Sequence, residues 1–193
     1  EYSSNFILKG GLFIYMLTEF QSRTTQDIDF LMYRQSNDID TVQQIMKKIC
    51  MVQTDNNYIT IEVLSAENIT PDKEYQGVSI KFIGHIKQVR VPFLVDIGVD
   101  DVIVPKAIKR KIKTQLADFE KPQIYTYSLE STVAEKFDAI LKRMEATSRM
   151  KDFFDIYYMS GMFNFDGRKL QEAMWQTLQH RGTPYEANSR VSK

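Results

Sequence analysis

"LKGGLFIYMLTEFQSRTTQDIDF", residues 8–30, decides how this chain is read. A short apolar run over residues 5–8 reads as a strand, and Gly10 and Gly11 end it in a tight turn. Residues 12–20 are apolar almost throughout and read as a buried helix. "DIDFLMY", residues 27–33, then alternates as a strand does. The order is strand, glycine turn, helix, strand. A turn that opens a helix suits a phosphate, because the first N–H groups lack partners and the helix dipole favours negative charge. Glycine also lets the phosphate come close to the backbone. Asp27 and Asp29, two residues apart on a strand, leave the same face while Ile28 turns to the core. Two like charges side by side are unfavourable unless a cation lies between them. Mg²⁺ takes a few carboxylates together with substrate phosphates and waters. A bare D-x-D is more often a solvated pair at a strand edge, and Gly-Gly is often only a turn. Their combination points to chemistry on a nucleoside triphosphate.

Working outward, the site wants a third carboxylate. Residues 88–99, "QVRVPFLVDIGV", put Val89, Val91, Phe93, Val95 and Ile97 on one face and Asp96 on the other. Asp96 is therefore the first candidate, Glu62 the second, and Asp100 or Asp101 the third. Pro92 interrupts this strand and predicts an edge position or a bulge. Residues 58–64 and 78–86 also alternate as strands, with a hairpin turn near residues 84–87. Asp38 is placed to N-cap a helix reaching residue 52, with Ile39, Val42, Ile45, Met46 and Ile49 at helical spacing.

From Lys106 the pattern turns basic, then helical. Lys106, Lys109, Arg110, Lys111 and Lys113 are five basic residues in eight, most simply a solvated face, alternatively a contact for RNA phosphates. Leu129, Val133, Phe137, Ile140, Leu141 and Met144 form one helical stripe; Met150, Phe153, Phe154 and Tyr157 form another. Residues 170–179 read as a further helix. Lys136 lies at the border of its stripe, where a snorkelling lysine is the simple reading. Asp152 and Asp155 fall away from the aromatic stripe, with Lys151 and Asp155 spaced to pair in solvent. Trp175 and the Phe and Tyr residues read as core; His85 and His180 read as structural. A shift in composition near Pro122 divides an α/β part, residues 1–122, from a helical part, residues 123–193.

The chain has 193 residues, 43% hydrophobic and 26% charged, with zero formal net charge. That is an ordinary globular balance, and global charge gives no reason to expect nucleic acid as partner. Cys50 is the single cysteine, so no intrachain disulfide can form, which fits a reducing compartment. No apolar run is long enough for a membrane span. We see no signal peptide. The chain opens in mid-pattern without Met, which we read as a missing N-terminal piece.

The glycine turn opening a helix, followed by D-x-D on the next strand, resembles the nucleotidyltransferase fold of the polymerase-beta type. The closer resemblance is to the AbiEii/AbiGii toxins, nucleotidyltransferases of bacterial toxin–antitoxin and abortive-infection systems. Residues 8–30 match the first motif of that family. "EKFDAILKRMEATSRMKDFFDIYYM", residues 135–159, and "HRGTPY", residues 180–185, resemble later segments. Thr25 stands where serine is expected, and the gap between Gly-Gly and D-x-D is slightly long. The stop at Lys193 reads as a truncation or a short member. The resemblance implies an α+β fold, a mixed sheet flanked by helices with a helical C-terminal part closing over it. It implies Asp27, Asp29 and Asp96 as ligands of Mg²⁺, and Lys136 and Asp152 as a later functional pair. Lys9, Gly10, Gly11 and Arg23 would hold the phosphates of the NTP. It further implies transfer of NMP to a hydroxyl acceptor, with RNA (the 3′ end of tRNA) as the candidate, a cognate antitoxin and a cytoplasmic setting. A small-molecule nucleotidyltransferase of the antibiotic-resistance kind and an inactive binding module on the same fold are the alternatives.

Overall fold

The structure, a computed structural model, describes residues 2–33, 36, 38–54, 58–69, 77–116, 118–143 and 149–184. Met144 and Tyr185, used above, lie outside these. The fold is α+β, and the described residues form seven strands in one mixed sheet and five helices. The strands are β1 (Phe6–Lys9), β2 (Ile28–Met32), β3 (Ile59–Asn68), β4 (Gly77–Ile86), β5 (Val89–Val99), β6 (Ile108–Lys111) and β7 (Gln123–Thr126). The helices are α1 (Gly10–Leu17), α2 (Ile39–Cys50), α3 (Leu129–Arg143), α4 (Met150–Met162) and α5 (Gly167–His180). Sheet order is β3-β4-β5-β2-β1-β7-β6. Of the two short strands, β6 falls in the run read as basic, and β7 at the start of the part read as helical. Contacts divide the chain into two units: Glu1–Asp100 with Lys111–Tyr125, and Asp101–Arg110 with Thr126–Lys193. Among the described residues no helix is long and apolar enough to cross a membrane.

In the first unit, β2 pairs antiparallel with β1 and parallel with β5, while β3-β4-β5 form an antiparallel meander. Period-2 alternation puts Met32, Val78, Ile80, Phe82, Val95 and Ile97 into one cluster with Val42 and Met46 of α2. Asp38 caps α2, its side chain accepting from the N–H of Thr41 at 3.0 Å. β5 pairs with β2 only over residues 95–99, but with β4 along its whole length. Pro92 therefore lies where β5 has β4 alone as its described neighbour, the edge position that its sequence predicts. α1 stops at Leu17, earlier than the apolar run suggests, because Glu19 and Phe20 take positive φ values of 53° and 69°.

In the second unit, α3 is buried nearly all round, and Val104, Ala134 and Ala173 form a small apolar cluster. Two expectations fail here. Met150, Phe153, Phe154 and Tyr157 are not a core stripe: all four are exposed, Tyr157 by 79%. The face of α4 turned inward is instead Asp152, Asp155 and Met159, spaced i, i+3, i+7. Trp175 on α5 is likewise 58% exposed rather than core. The cause lies on α3, where a buried lysine claims both aspartates.

Candidate active site

The residues of the first motif meet through backbone register. Lys9 of β1 pairs with Asp29 of β2, and Asp29 with Asp96 of β5. Asp96 in turn pairs with Ser79 of β4. Paired positions on neighbouring strands present side chains to one face, so Lys9, Asp29, Asp96 and Ser79 form a row across four strands. Ile28, Phe30, Val95 and Ile97 occupy the opposite face with the α2 core. Ser79 Oγ–H donates to Asp96 Oδ1 at 2.7 Å. Lys9 is only 4% exposed, unusual for lysine.

Asp29 also reaches the glycine turn. Gly10 opens α1 at φ +70°, a region that side-chain-bearing residues rarely occupy. A Cβ there would fall inside the Asp29 carboxylate, with Cγ only 2.9 Å away. A Cβ on Gly11 would meet Thr25 Oγ1 at 3.1 Å and an Arg23 guanidinium nitrogen at 3.3 Å. Arg23 and Thr25 thus border the second glycine as Asp29 borders the first. The side chain of Lys9, the N-cap residue, makes no capping hydrogen bond to α1. Gly10→Ala is expected to cost about 1–2 kcal/mol from the left-handed backbone alone. Thermal unfolding should then fall by about 2–8 °C. Because Asp29 must move as well, catalysis should suffer more than stability does.

Asp27 differs from the sequence reading. β2 begins one residue later, at Ile28, and the Asp27 N–H takes Thr25 Oγ1 at 3.2 Å instead of a ladder partner. Asp27 is exposed where Asp29 and Asp96 are half-buried. Glu62 is exposed on β3, and Asp101 is engaged in the second unit by Arg181. Among the described residues no three acidic, His or Cys side chains are gathered as a metal-binding group. The row nevertheless fits Mg²⁺. Its donors are hard carboxylate oxygens, two of them adjacent by register, and Mg²⁺ commonly takes only one or two carboxylates, completing its shell with phosphates and water.

In the second unit, Lys136 Nζ lies 3.0 Å from Asp152 Oδ1 and 2.7 Å from Asp155 Oδ2. Arg149 Nε donates to the other Asp152 oxygen at 2.6 Å. Lys136 is 8% exposed, so it does not snorkel, and Asp155 is no surface partner of Lys151. Burial alone would push the Asp152 carboxyl up, but Lys136 and Arg149 outweigh it and hold the group below the usual carboxylate range. A depressed folded value means stability that is present above the unfolded carboxylate pKa, near 4, and lost as pH falls through the folded one. Acid unfolding of Asp152→Asn should therefore show a shallower loss of stability below about pH 4 than wild type.

Sequence reasoning missed a second charge centre. Arg181 Nη2 lies 2.9 Å from each Asp101 oxygen and 2.8 Å from Glu135 Oε1, and Nη1 lies 3.2 Å from Asp138 Oδ2. Tyr127 O–H donates to Glu135 at 3.0 Å, and Thr183 O–H donates to Asp138. Burial by itself would lower the guanidinium pKa, yet Glu135, Asp101 and Asp138 raise it overall. Asp138 lies off the apolar stripe of α3, so the sequence pattern held no signal for this centre. In the basic run, Arg110 is half-buried and donates to Thr126 Oγ1 at 3.1 Å. Lys113 is paired with Glu19 at 2.6 Å, and Lys106, Lys109 and Lys111 are exposed.

A mixed sheet with a glycine turn opening a helix and two half-buried carboxylates in register on adjacent strands defines the nucleotidyltransferase class. The chain belongs to the nucleotidyl transferase AbiEii toxin family of type IV toxin–antitoxin systems, whose family pattern matches residues 1–192. Among solved structures it is similar to the MenT4 nucleotidyltransferase toxin of Mycobacterium tuberculosis, with TM-score 0.61 and 12% identity. That similarity covers 88% of this chain and 55% of MenT4, so the chain spans about half of MenT4's length. It is also similar to an antigenic nucleotidyltransferase-like protein from Paracoccidioides brasiliensis, with TM-score 0.50 and 16% identity over 92% of this chain and 80% of the other. At such identities the likeness concerns the fold. No curated protein matches the chain.

Proposed function

We propose that this protein transfers NMP from an NTP to a hydroxyl acceptor with the aid of Mg²⁺, and that the acceptor is RNA, with the 3′ end of tRNA as the first candidate. The observation that carries the reading is Asp29: in register with Asp96 on one side and pressed against Gly10 on the other. One side chain thus joins the carboxylate row to the start of a helix suited to phosphate. Asp29 and Asp96 would hold the metal, with Asp27 entering from the strand's leading end. Bound there, Mg²⁺ would supply charge stabilisation to the attacking and leaving oxygens. Gly10, Gly11, Lys9 and Arg23 would bind the triphosphate through backbone N–H groups and positive charge. Asp96 would accept the proton of the acceptor hydroxyl as its oxygen bonds to the α-phosphorus and pyrophosphate departs. Lys136 and Asp152 would act as the family's later functional pair, Asp152 holding the Lys136 ammonium; their buried bond supports that holding role. Exposed Lys106, Lys109 and Lys111 support a phosphate-bearing acceptor, whose binding would weaken steeply with salt. Family membership supports toxicity, a cognate antitoxin and action in the cytoplasm.

The test is incubation with each labelled NTP, Mg²⁺ and total RNA. Label should enter RNA with one NTP preferred, and chelation should stop it. Label entering only small molecules, or none at all, would overturn the RNA reading.

A further inference from the structure

Ser79 was not singled out by its sequence, yet it ends the row of side chains described above. It is 9% exposed, stands opposite Asp96 in the β4–β5 register, and its hydroxyl is spent on Asp96 Oδ1 at 2.7 Å. A carboxylate on a strand has two soft torsions, and its plane can turn through a wide range. A donor on one oxygen fixes that plane. Because Asp96 is flanked by Asp29 on β2 and by Ser79 on β4, a bond to the β4 side turns one oxygen to the serine. The other is left on the side of Asp29. That orientation is what a cation between the two aspartates needs.

We infer that Ser79 is a positioning residue for the metal-binding carboxylate of Asp96, holding its plane so that Asp29 and Asp96 can share one divalent cation; this rests on the metal reading of the row. Neighbouring features fit. Ser79 sits between Val78 and Ile80, both fully buried on the opposite face, so β4 is anchored and the serine cannot drift. Hydrogen bonds to ligating carboxylates orient them, and losing such a partner typically costs about 10–100-fold in metal affinity or activity. Serine donates one O–H, which alanine cannot replace and threonine can.

The experiment measures Mn²⁺ binding by calorimetry, and the Mg²⁺ dependence of transfer, for wild type, Ser79→Ala, Ser79→Thr, Ser79→Cys, Asp29→Asn and Asp96→Asn. Ser79→Ala should weaken Mn²⁺ binding about tenfold and raise the half-saturating Mg²⁺ by a similar factor. Because Asp96 is also the proposed proton acceptor, kcat at saturating Mg²⁺ should fall too, and Ser79→Thr should recover it together with Mn²⁺ binding. Ser79→Cys, of similar volume with a weak donor, should fall between and covers the case in which the alanine variant does not fold. Unchanged Mn²⁺ binding in Ser79→Ala and Ser79→Cys, with binding lost in both aspartate variants, would overturn the role of Ser79 and leave the metal site standing. Wild-type Mn²⁺ binding in the aspartate variants would overturn both. A Ser79→Ala transfer defect with unchanged Mn²⁺ binding that Ser79→Thr does not repair would also overturn it, marking the serine as structural.

Discussion

Asp29→Ala is expected to abolish label transfer while leaving the fold intact. Metal stabilisation of the attacking and leaving oxygens is worth several kcal/mol, and each 1.36 kcal/mol is tenfold in rate, so the loss should be about a thousandfold or more. Stability in metal-free buffer has two opposing parts. Asp29 and Asp96 are paired across β2 and β5, and like charges directly opposite destabilise a sheet by about 0.2–1 kcal/mol. On its other side Asp29 pairs in register with Lys9, which is buried, and taking a carboxylate from beside a buried ammonium costs stability. The cluster of Met32, Val78, Ile80 and Val95 lies on the opposite face and is untouched. The apo variant should therefore melt near the wild-type temperature. Adding Mg²⁺ with NTP should raise the wild-type midpoint, because a ligand that binds only the folded state stabilises it, and should not raise the variant's. Transfer at the wild-type rate by Asp29→Ala would defeat the assignment, and an equal Mg²⁺ shift in the two proteins would remove Asp29 from the metal shell.

The part of this site that could be read from sequence is the part that depends on period. Alternation along residues 88–99 selects Asp96 over its neighbours, and the same rule sends Val95 and Ile97 to the core. A capping aspartate before an amphipathic run places α2 to within a residue at its start. What period cannot give is which strand lies beside which. The Asp29–Asp96 pairing needs β5 to insert next to β2 across a long stretch of chain, and only the register shows it. Ser79 is invisible for the same reason. On α4 the apolar pattern was a misleading guide. Four large side chains marked a face that the helix exposes, because Lys136 on α3 has to be neutralised and Asp152 and Asp155 are what neutralise it. A buried charge costs more to leave unpaired than several apolar side chains gain by burial, so pairing chose the face. β6 and β7 are four residues each, too short for alternation to stand out among basic and polar residues.

Arg181→Met should cause the largest loss of stability of any single change considered. In the second unit this guanidinium, at the end of α5, bonds Asp101 from the segment before β6 together with Glu135 and Asp138 of α3. Asp138 is fully buried, with Thr183 and Lys142 as its other partners. Taking away one side of a buried pair leaves the other charge uncompensated and typically costs about 3–5 kcal/mol. The melting midpoint should fall by about 6–20 °C. Arg181→Lys should not repair it, because an ammonium is a point charge and cannot reproduce the two-oxygen grip on Asp101. The pH dependence tells charge loss from packing loss. Without the guanidinium, three carboxylates stand together in a buried place, and taking up protons relieves their repulsion. The deficit of Arg181→Met against wild type should therefore shrink on going from about pH 7 to pH 5. Asp138→Asn placed on top of Arg181→Met should recover part of the loss at pH 7, since it removes one of the stranded charges. A midpoint within about 2 °C of wild type, or a deficit that does not change with pH, would show that the three carboxylates do not depend on Arg181.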